Sequence, residues 1–210
     1  MNAKRTELIY GVELSEIMKS HPGVLAHPVL SVCTLALESS GLDTEGIYRI
    51  AGKTPDVETL KIALEVSFQS IDWSAYDPHV IASAVKAFLR DLPEPLFLFP
   101  LRDRVEYSGI TDEKERIGKL KTRLKSLKKA NLDHLRFMLN HLVKVAEHGA
   151  SNKVTMQALS VTFGPILFQS QYEQIEAPAS GLGWFTKQPS QNMTQEVMQM
   201  EQLRSDLVKN

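Results

Sequence analysis

The sequence predicts an all-α fold, a single bundle of amphipathic helices. Apolar residues recur three or four positions apart through most of the chain, whereas the alternating apolar and polar runs typical of strands are scarce. Prolines and acidic or hydroxyl side chains stand at the start of several periodic segments, as they do at helix N-termini. Hydrophobic residues make up 43% of the chain, which is enough for one apolar core.

Three prolines mark the starts of the first predicted helices. They are Pro28, Pro55 and Pro78. Proline suits the first helical position because its ring fixes φ and an N–H there would have no intrahelical partner. Thr54 and Asp77 precede two of these prolines and are expected to cap their helices. The first helix is expected to end near Gly41, and the third is expected to end at the two prolines within residues 92–95.

Three more helices are predicted in the second half of the chain. Asp112 is expected to cap the fourth helix, and Gly149 is expected to end the fifth. The sixth is expected over residues 155–162, because Gly164 and Pro165 follow it.

The composition changes near the end of the chain. Residues 169–191 are rich in glutamine, serine, proline and glycine and lack periodicity, which predicts a long surface loop. A helical stripe follows and predicts a C-terminal helix that packs back on the domain; it consists of Met193, Val197, Met200, Leu203 and Leu207. The expected organisation is an N-terminal extension at 1–10 and one helical domain at 11–208.

The composition also argues against several classes of protein. The formal net charge of −1 gives no indication of nucleic acid binding, and no apolar run reaches the roughly 18–20 residues that span a bilayer. Cys33 is the only cysteine and lies in an apolar segment, so it is expected to be a buried, reduced thiol of a cytoplasmic protein. The basic run at 114–129 is interpreted as a solvated helix face.

Neither a metal ion nor a cofactor is expected. Three histidines recur every seven residues, at His134, His141 and His148. That spacing separates neighbours by about 10.5 Å along a helix, too far for them to share one metal ion. They are interpreted as helix-surface or core-edge residues.

The segment EGIYRIAGKT at 45–54 connects the first two predicted helices and places Arg49 among apolar neighbours. Its glycines and its GKT ending are similar to a phosphate-binding P-loop. However, five residues rather than four separate the glycines, no buried strand precedes them, and Pro55 disfavours a helical Thr54. From spacing alone, Arg49 is either a loop arginine that pairs with a nearby carboxylate or a functional residue.

Two basic residues share one face of the third predicted helix. Lys86 and Arg90 stand at i and i+4, on the polar side opposite the apolar stripe. Like charges at this spacing destabilise an isolated helix by about 0.2–0.5 kcal/mol. The pair is therefore either a solvated face or a site for an acidic or carbonyl-rich partner.

Three segments together carry a resemblance to a known family. They read GIYRIAG at 46–52, VIASAVKAFLRDLPEPLF at 80–97 and NHLVKVAEHGASNKVTMQALSVTFGPILF at 140–168. In this order they resemble the arginine-finger segment, the central helix with its double-proline exit, and the last conserved block of RhoGAP domains. The resemblance covers about residues 11–170.

The resemblance implies an activator that binds a Rho-family small GTPase in its GTP-bound form and turns over no substrate of its own. Arg49 would enter the partner's active site, and its backbone carbonyl would help to orient the partner's glutamine. Arg90 would brace the loop through backbone carbonyls, and Lys86 would contact the GTPase. Gly46 would let the loop approach the nucleotide closely, and Asn152 would support the site or cap a helix.

One position departs from the family pattern. RhoGAP domains commonly read Asn-Leu-Ala before FGP, whereas this chain reads Ala158-Leu159-Ser160, so an amide that usually grips the GTPase is absent. A non-catalytic GTPase-binding module of the same fold therefore stays open as an alternative, as does a helical scaffold unrelated to GTPases.

Overall fold

The structure, a computed structural model, describes residues 10–21, 24 and 26–168. Its α-helices are α1 (Leu14–Ser20), α2 (Pro28–Ser40), α3 (Thr54–Ser67), α4 (Pro78–Arg90), α5 (Leu101–Ser108), α6 (Glu113–Lys125), α7 (Lys129–Glu147), α8 (Gly149–Asn152) and α9 (Met156–Phe168). Two 3₁₀ turns, Phe68–Ser70 and Trp73–Ala75, connect α3 to α4. The regular structure of the described residues is helical throughout, so the predicted all-α fold is confirmed.

Helix α4 lies at the centre of the bundle, where it packs against α2, α3 and α9. Its buried apolar face follows the predicted stripe and consists of Val80, Ile81, Ala82, Ala84, Val85, Phe88 and Leu89. The carboxylate of Asp77 accepts a hydrogen bond from the His79 amide at 2.7 Å. Asp77 therefore caps α4 as predicted. Helix α7 packs against α1, α2 and α9 and closes the other side of the core.

Most of the other predicted helix ends agree with the structure. Helix α2 stops before Gly41, and Asp112 caps α6 by accepting the Glu115 amide at 2.8 Å. The predicted cap of α3 is wrong by one residue, because Thr54 is already helical and Lys53 is the cap. Pro55 therefore takes the second helical position. Proline is tolerated there as well, because the N–H groups of the first helical turn make no intrahelical hydrogen bonds.

The prediction that Gly164 and Pro165 end the sixth helix is wrong. Helix α9 continues through Pro165 to Phe168, although an internal proline costs about 3 kcal/mol. Ile166, Leu167 and Phe168 are each no more than 4% exposed. Burying three such side chains contributes about 1.5–3 kcal/mol each, which outweighs the cost of the proline.

Some short helices were not predicted. Helix α5 is eight residues long and buries a charged side chain, Arg104, whose guanidinium lies 4.6 Å from the centroid of the Phe168 ring. A buried arginine interrupts the apolar periodicity by which a helix is recognised. Helices α1 and α8, of seven and four residues, are too short to show a period.

Two of the three evenly spaced histidines lie in the core, so their interpretation as surface or core-edge residues is wrong. His134 is 0% and His141 is 2% exposed, whereas His148 is partly exposed. The Nε2 atom of His134 accepts the His27 amide at 2.8 Å. Internal partners of this kind allow a polar ring to be buried.

The remaining expectations concern Cys33 and the basic run. Cys33 is a free, fully buried cysteine, as predicted, and burial raises the pKa of its thiol to about 12. The basic run forms an exposed helix face around the buried Leu120, with Lys119 paired to Glu106 and Lys128 paired to carboxylates.

No helix of the described part of the chain has the length and apolar character needed to cross a membrane. The predicted loop at 169–191 and the C-terminal stripe lie outside the described residues.

Candidate functional site

The Arg49 loop, residues 41–53, connects α2 to α3 and is folded by its own backbone hydrogen bonds. The amides of Arg49 and Ile50 donate to the carbonyl of Gly46, at 2.9 and 2.8 Å. Gly46 has a φ of +71°, and a Cβ at this position would lie 2.7 Å from the Ile50 side chain. Only glycine adopts this turn without strain. Within this chain, Gly46 therefore serves the turn itself.

Tyr48 also has a positive φ, of +65°, which is uncommon for a residue with a side chain. Such a conformation costs of the order of 1–3 kcal/mol and persists only where surrounding contacts enforce it. The Tyr48 ring is 0% exposed and packs edge-on against Phe163, with ring centroids 5.0 Å apart. Burial raises the pKa of its hydroxyl well above the ordinary value. The loop is thus anchored in the core by the residue that precedes Arg49.

The Arg49 side chain is exposed, and its Nη2 atom lies near Gly46 of the same turn, 3.6 Å from the place of a Cβ there. Ile47 and Tyr48 are 0% exposed, whereas Arg49 and Ile50 are exposed, Ile50 by 46%. Among the described residues, the Arg49 guanidinium has no ion pair or side-chain hydrogen bond. The alternative of an arginine neutralised by a nearby carboxylate therefore finds no partner in this part of the chain.

Lys86 binds the loop from α4. It is 7% exposed, and its Nζ donates to the Tyr48 carbonyl at 2.7 Å. Burial lowers its pKa, and the neighbouring charge of Arg90 adds to this effect. The expectation of a carbonyl-rich partner is met inside the molecule, and the expectation that Lys86 lies on the polar face is wrong.

Arg90 lies one turn further along α4 and is exposed. The bracing contact to a loop carbonyl, which the resemblance implied for Arg90, is made here by Lys86. Lys86 is therefore buried, whereas Arg90 remains exposed. The sequence does not distinguish the two residues, because both are basic and stand one helical turn apart on α4.

Gly52 closes the loop against the start of α4. A Cβ on Gly52 would lie 2.6 Å from the Val80 Cα atom and 2.8 Å from the His79 carbonyl oxygen. The Gly52 amide donates to the Ser83 hydroxyl at 2.9 Å. The amides of Gly46, Arg49 and Gly52 are all used inside the protein, so they do not form the phosphate cradle of a P-loop.

Asn152 ties the loop to the end of α7. Its backbone carbonyl accepts the Gly46 amide at 2.7 Å. Its side-chain amide donates to the carbonyls of Leu42 and Val145, each at 2.8 Å, and its Oδ1 accepts the Val154 amide at 2.8 Å. The residue is 0% exposed. Asn152 therefore supports the loop from within and presents no amide to a partner.

A polar network behind Tyr48 was missed by the sequence reasoning. The Tyr48 hydroxyl lies 2.7 Å from His141 Nε2, and His141 Nδ1 lies 2.8 Å from Glu38 Oε1. Lys144 Nζ donates to the other Glu38 oxygen at 2.6 Å. Burial raises the pKa of Glu38, but the hydrogen bonds from Lys144 and His141 outweigh it and lower the pKa overall. The histidine spacing was the only sequence signal for this network, and it was interpreted as a surface feature.

The remaining site position, Ala158, lies in the first turns of α9 and is partly buried. Its amide donates to the Thr155 hydroxyl at 3.1 Å.

Within residues 10–21, 24 and 26–168, no three histidine, cysteine, aspartate or glutamate side chains are grouped closely enough to hold a metal ion. The site contains an exposed guanidinium on an anchored loop.

A family model for the RhoGAP domain matches residues 28–172. The chain belongs to the RhoGAP domain family. The matched region contains the Arg49 loop, all of α4 and all of α9, which are the elements that carried the resemblance in the sequence.

Curated relatives include several proteins named as Rho GTPase-activating proteins. The RhoGAP domain described here is 35% identical over 149 residues to Rho GTPase-activating protein 27 of Homo sapiens, a match that covers 70% of this chain and 17% of the relative. It is 31% identical over 172 residues to N-chimaerin of Rattus norvegicus, covering 80% of this chain and 51% of the relative. The chain thus spans 17% and 51% of the length of these two relatives.

Solved structures share the fold. The crystal structure of human Rho GTPase activating protein 15 is 24% identical, with a TM-score of 0.77, and the match covers 100% of this chain and 99% of that one. The BH domain of Graf, described as the GTPase regulator associated with focal adhesion kinase, is 22% identical with a TM-score of 0.67 and covers 95% and 94% of the two chains. The RhoGAP-type helical bundle predicted from the sequence is confirmed.

Proposed function

We propose that this RhoGAP domain stimulates GTP hydrolysis by a Rho-family small GTPase in its GTP-bound form, and that Arg49 does so by entering the partner's active site. Family membership supports the activity, as do the relatives named as Rho GTPase-activating proteins. The arginine mechanism is supported by one observation on this chain: Arg49 is exposed and has no ion-pair partner among the described residues, whereas the two residues before it are fully buried.

The chemistry of GTP hydrolysis suits an arginine supplied in trans. Negative charge develops on the phosphate oxygens in the transition state, and a GTPase alone neutralises it incompletely. In the related Ras system such an arginine accelerates hydrolysis by about 10³–10⁵-fold, or roughly 4–7 kcal/mol. The guanidinium stays protonated, and its planar fork of donors matches phosphate oxygens.

The anchored loop explains why this arginine can act efficiently. An arginine on a mobile loop would lose conformational entropy when it enters a partner's site. Here Lys86 holds the Tyr48 carbonyl and Asn152 holds the Gly46 amide, so the backbone on both sides of the turn is fixed before binding. Only the side chain of Arg49 has to be ordered in the complex.

The alternative is a binding module of the same fold that engages a GTPase without accelerating hydrolysis. Ala158 is the observation that favours it, since the amide common at this position in the family is replaced by a methyl group. Replacing this contact would weaken binding, but it does not remove the charge that Arg49 supplies. We therefore place activation before binding alone.

A single-turnover assay with a panel of Rho-family GTPases distinguishes the two functions. Each GTPase is loaded with GTP, and phosphate release is followed with and without an excess of the domain. At least one member is expected to hydrolyse GTP faster by about 10³-fold or more, as for known arginine donors in trans. If the domain binds a GTP-loaded member but leaves every hydrolysis rate unchanged, it is a binding module; if it binds none, it is a scaffold of another kind.

A further inference from the structure

The positive φ of Tyr48 raises the question of what enforces it, because Tyr48 is the residue before Arg49. A tyrosine relaxes from this conformation unless its side chain and its carbonyl are both held. The carbonyl is held by Lys86 Nζ at 2.7 Å. The side chain enters the core between α7 and α9, where its ring contacts His141 and Phe163 edge-on.

The hydrogens of the network behind Tyr48 can be assigned from its chemistry. Glu38 is ionised and can only accept, so His141 Nδ1 carries the hydrogen and donates to Glu38 across 2.8 Å. His141 Nε2 is then the acceptor of a neutral imidazole, and the Tyr48 hydroxyl donates to it across 2.7 Å. Burial lowers the pKa of His141, which agrees with a neutral ring.

We propose that His141, oriented by Glu38, is a positioning residue that fixes the Arg49 loop through the Tyr48 hydroxyl. The Tyr48 ring is held at its far end by His141, and its backbone is held by Lys86. The carbonyl of Tyr48 and the amide of Arg49 belong to the same planar peptide. A change in the orientation of Tyr48 therefore rotates this peptide plane and changes the direction of the Arg49 side chain.

The consequence for hydrolysis rests on the proposed function, whereas the consequence for the loop rests on the geometry alone. When the hydroxyl loses its acceptor, Tyr48 can tilt and the loop samples several orientations. Only some of these place the guanidinium correctly, so the maximal stimulated rate falls. Binding changes little, because the surface of the domain remains the same.

Two substitutions at one position separate positioning from packing. In His141→Asn, the side-chain amide can still donate to Glu38 from the place of Nδ1, but the side chain is too short to reach the Tyr48 hydroxyl. In His141→Gln, the amide oxygen can accept the Tyr48 hydroxyl near the place of Nε2. His141→Asn is expected to lower the maximal stimulated rate about tenfold, the equivalent of about 1.4 kcal/mol, with the Kd for the GTPase bound to a non-hydrolysable GTP analogue within about twofold. His141→Gln is expected to retain at least about half of the rate.

His148→Asn is the matched control, since His148 lies one heptad further along the chain and is partly exposed, and among the described residues its ring bonds only to the Lys144 carbonyl. Hydrogen exchange of the Gly46–Ile50 amides in the isolated domain gives a second measurement that needs no GTPase. Exchange is expected to be faster in His141→Asn and unchanged in His141→Gln and His148→Asn. If His141→Asn does not fold, Tyr48→Phe takes its place, because it keeps the ring and removes only the donor.

The outcomes separate this inference from the proposed function. The positioning role would be overturned if His141→Asn kept both the wild-type stimulated rate and the wild-type hydrogen exchange. It would also be overturned if His141→Asn and His141→Gln lost the stimulated rate equally. If the unmodified domain stimulates no GTPase, the proposed function fails while the exchange measurement still decides about His141. A loss that appears only in Kd also counts against positioning.

Discussion

Gly52 offers a steric test of how closely the Arg49 loop is fitted to α4. In Gly52→Ala, the new Cβ would lie 2.6 Å from the Val80 Cα atom, 2.7 Å from the Val80 nitrogen and 2.8 Å from the His79 carbonyl oxygen. Favourable carbon contacts begin near 3.5 Å, so the loop and the helix must separate by about 1 Å. All three atoms are backbone atoms at the start of a buried helix, and none can move aside by a change of rotamer.

The expected cost follows from this overlap. Overpacking of a core costs about 1–3 kcal/mol, which lowers Tm by roughly 2–12 °C in a domain of this size. A displacement of about 1 Å at a catalytic group lowers a rate by up to about 100-fold. Gly52→Ala is therefore expected to lower the stimulated hydrolysis rate by about ten- to 100-fold while the domain still folds.

Gly118→Ala is the matched control, because a Cβ on Gly118 would meet no heavy atom within 4 Å. It lies within α6, where alanine is more stable than glycine by about 0.5–1 kcal/mol, so Tm should rise by a few degrees and the stimulated rate should not change. Thermal unfolding and single-turnover hydrolysis measure both effects. A Gly52→Ala domain with wild-type Tm and wild-type rate would show that the loop does not need its fit against α4.

The other predictions concern loop support, partner affinity and pH. Lys86→Met keeps the aliphatic stem but leaves the buried Tyr48 carbonyl without its donor; because such a hydrogen bond is worth about 1.5–3 kcal/mol, single-turnover hydrolysis should slow by tenfold or more. Ala158→Asn should lower the Kd for the GTPase, measured by titration, without raising the maximal stimulated rate. Burial, aided by the charges of His134 and His21, lowers the pKa of His27 to about 3, and burial also lowers that of His134. The unfolded state therefore binds more protons, so the free energy of unfolding should fall as the pH drops below about 6.5, by about 1.4 kcal/mol per pH unit from His27, with a contribution of the same sign from His134. Urea titrations at several pH values would measure this fall, and a constant free energy of unfolding between pH 7 and pH 5 would contradict the burial of these rings.

Local signals in the sequence were enough to predict much of the fold. Asp77 and Pro78 mark the start of α4 because capping and proline geometry depend only on neighbouring residues. Apolar periodicity located the buried face of α4. Pro165 gave a wrong helix end, because the burial of the residues after it is a tertiary effect that outweighs the local preference.

The candidate site was predicted only in part, and for the same reason. Arg49 could be singled out since it stands between glycines in a segment that resembles a family motif. The burial of Lys86, by contrast, depends on a carbonyl 38 residues away, and the hydrogen bond of His141 depends on a hydroxyl 93 residues away. One sequence without a fold does not indicate such pairs. The resemblance implied that Gly46 lets the loop approach a nucleotide closely, but one sequence did not show that Gly46 and Gly52 are also required by contacts within the chain.

The most direct measurement is the single-turnover rate of a responsive Rho-family GTPase at saturating domain, compared between the wild type and Arg49→Ala. Removing the exposed guanidinium leaves every described backbone contact of the loop in place, so the Kd should stay within a few-fold. The stimulated rate is expected to fall by about 10³-fold or more, close to that of the GTPase alone, and Arg49→Lys should restore little of it because the planar fork is lost. Stimulation by Arg49→Ala equal to that of the wild type would contradict the account.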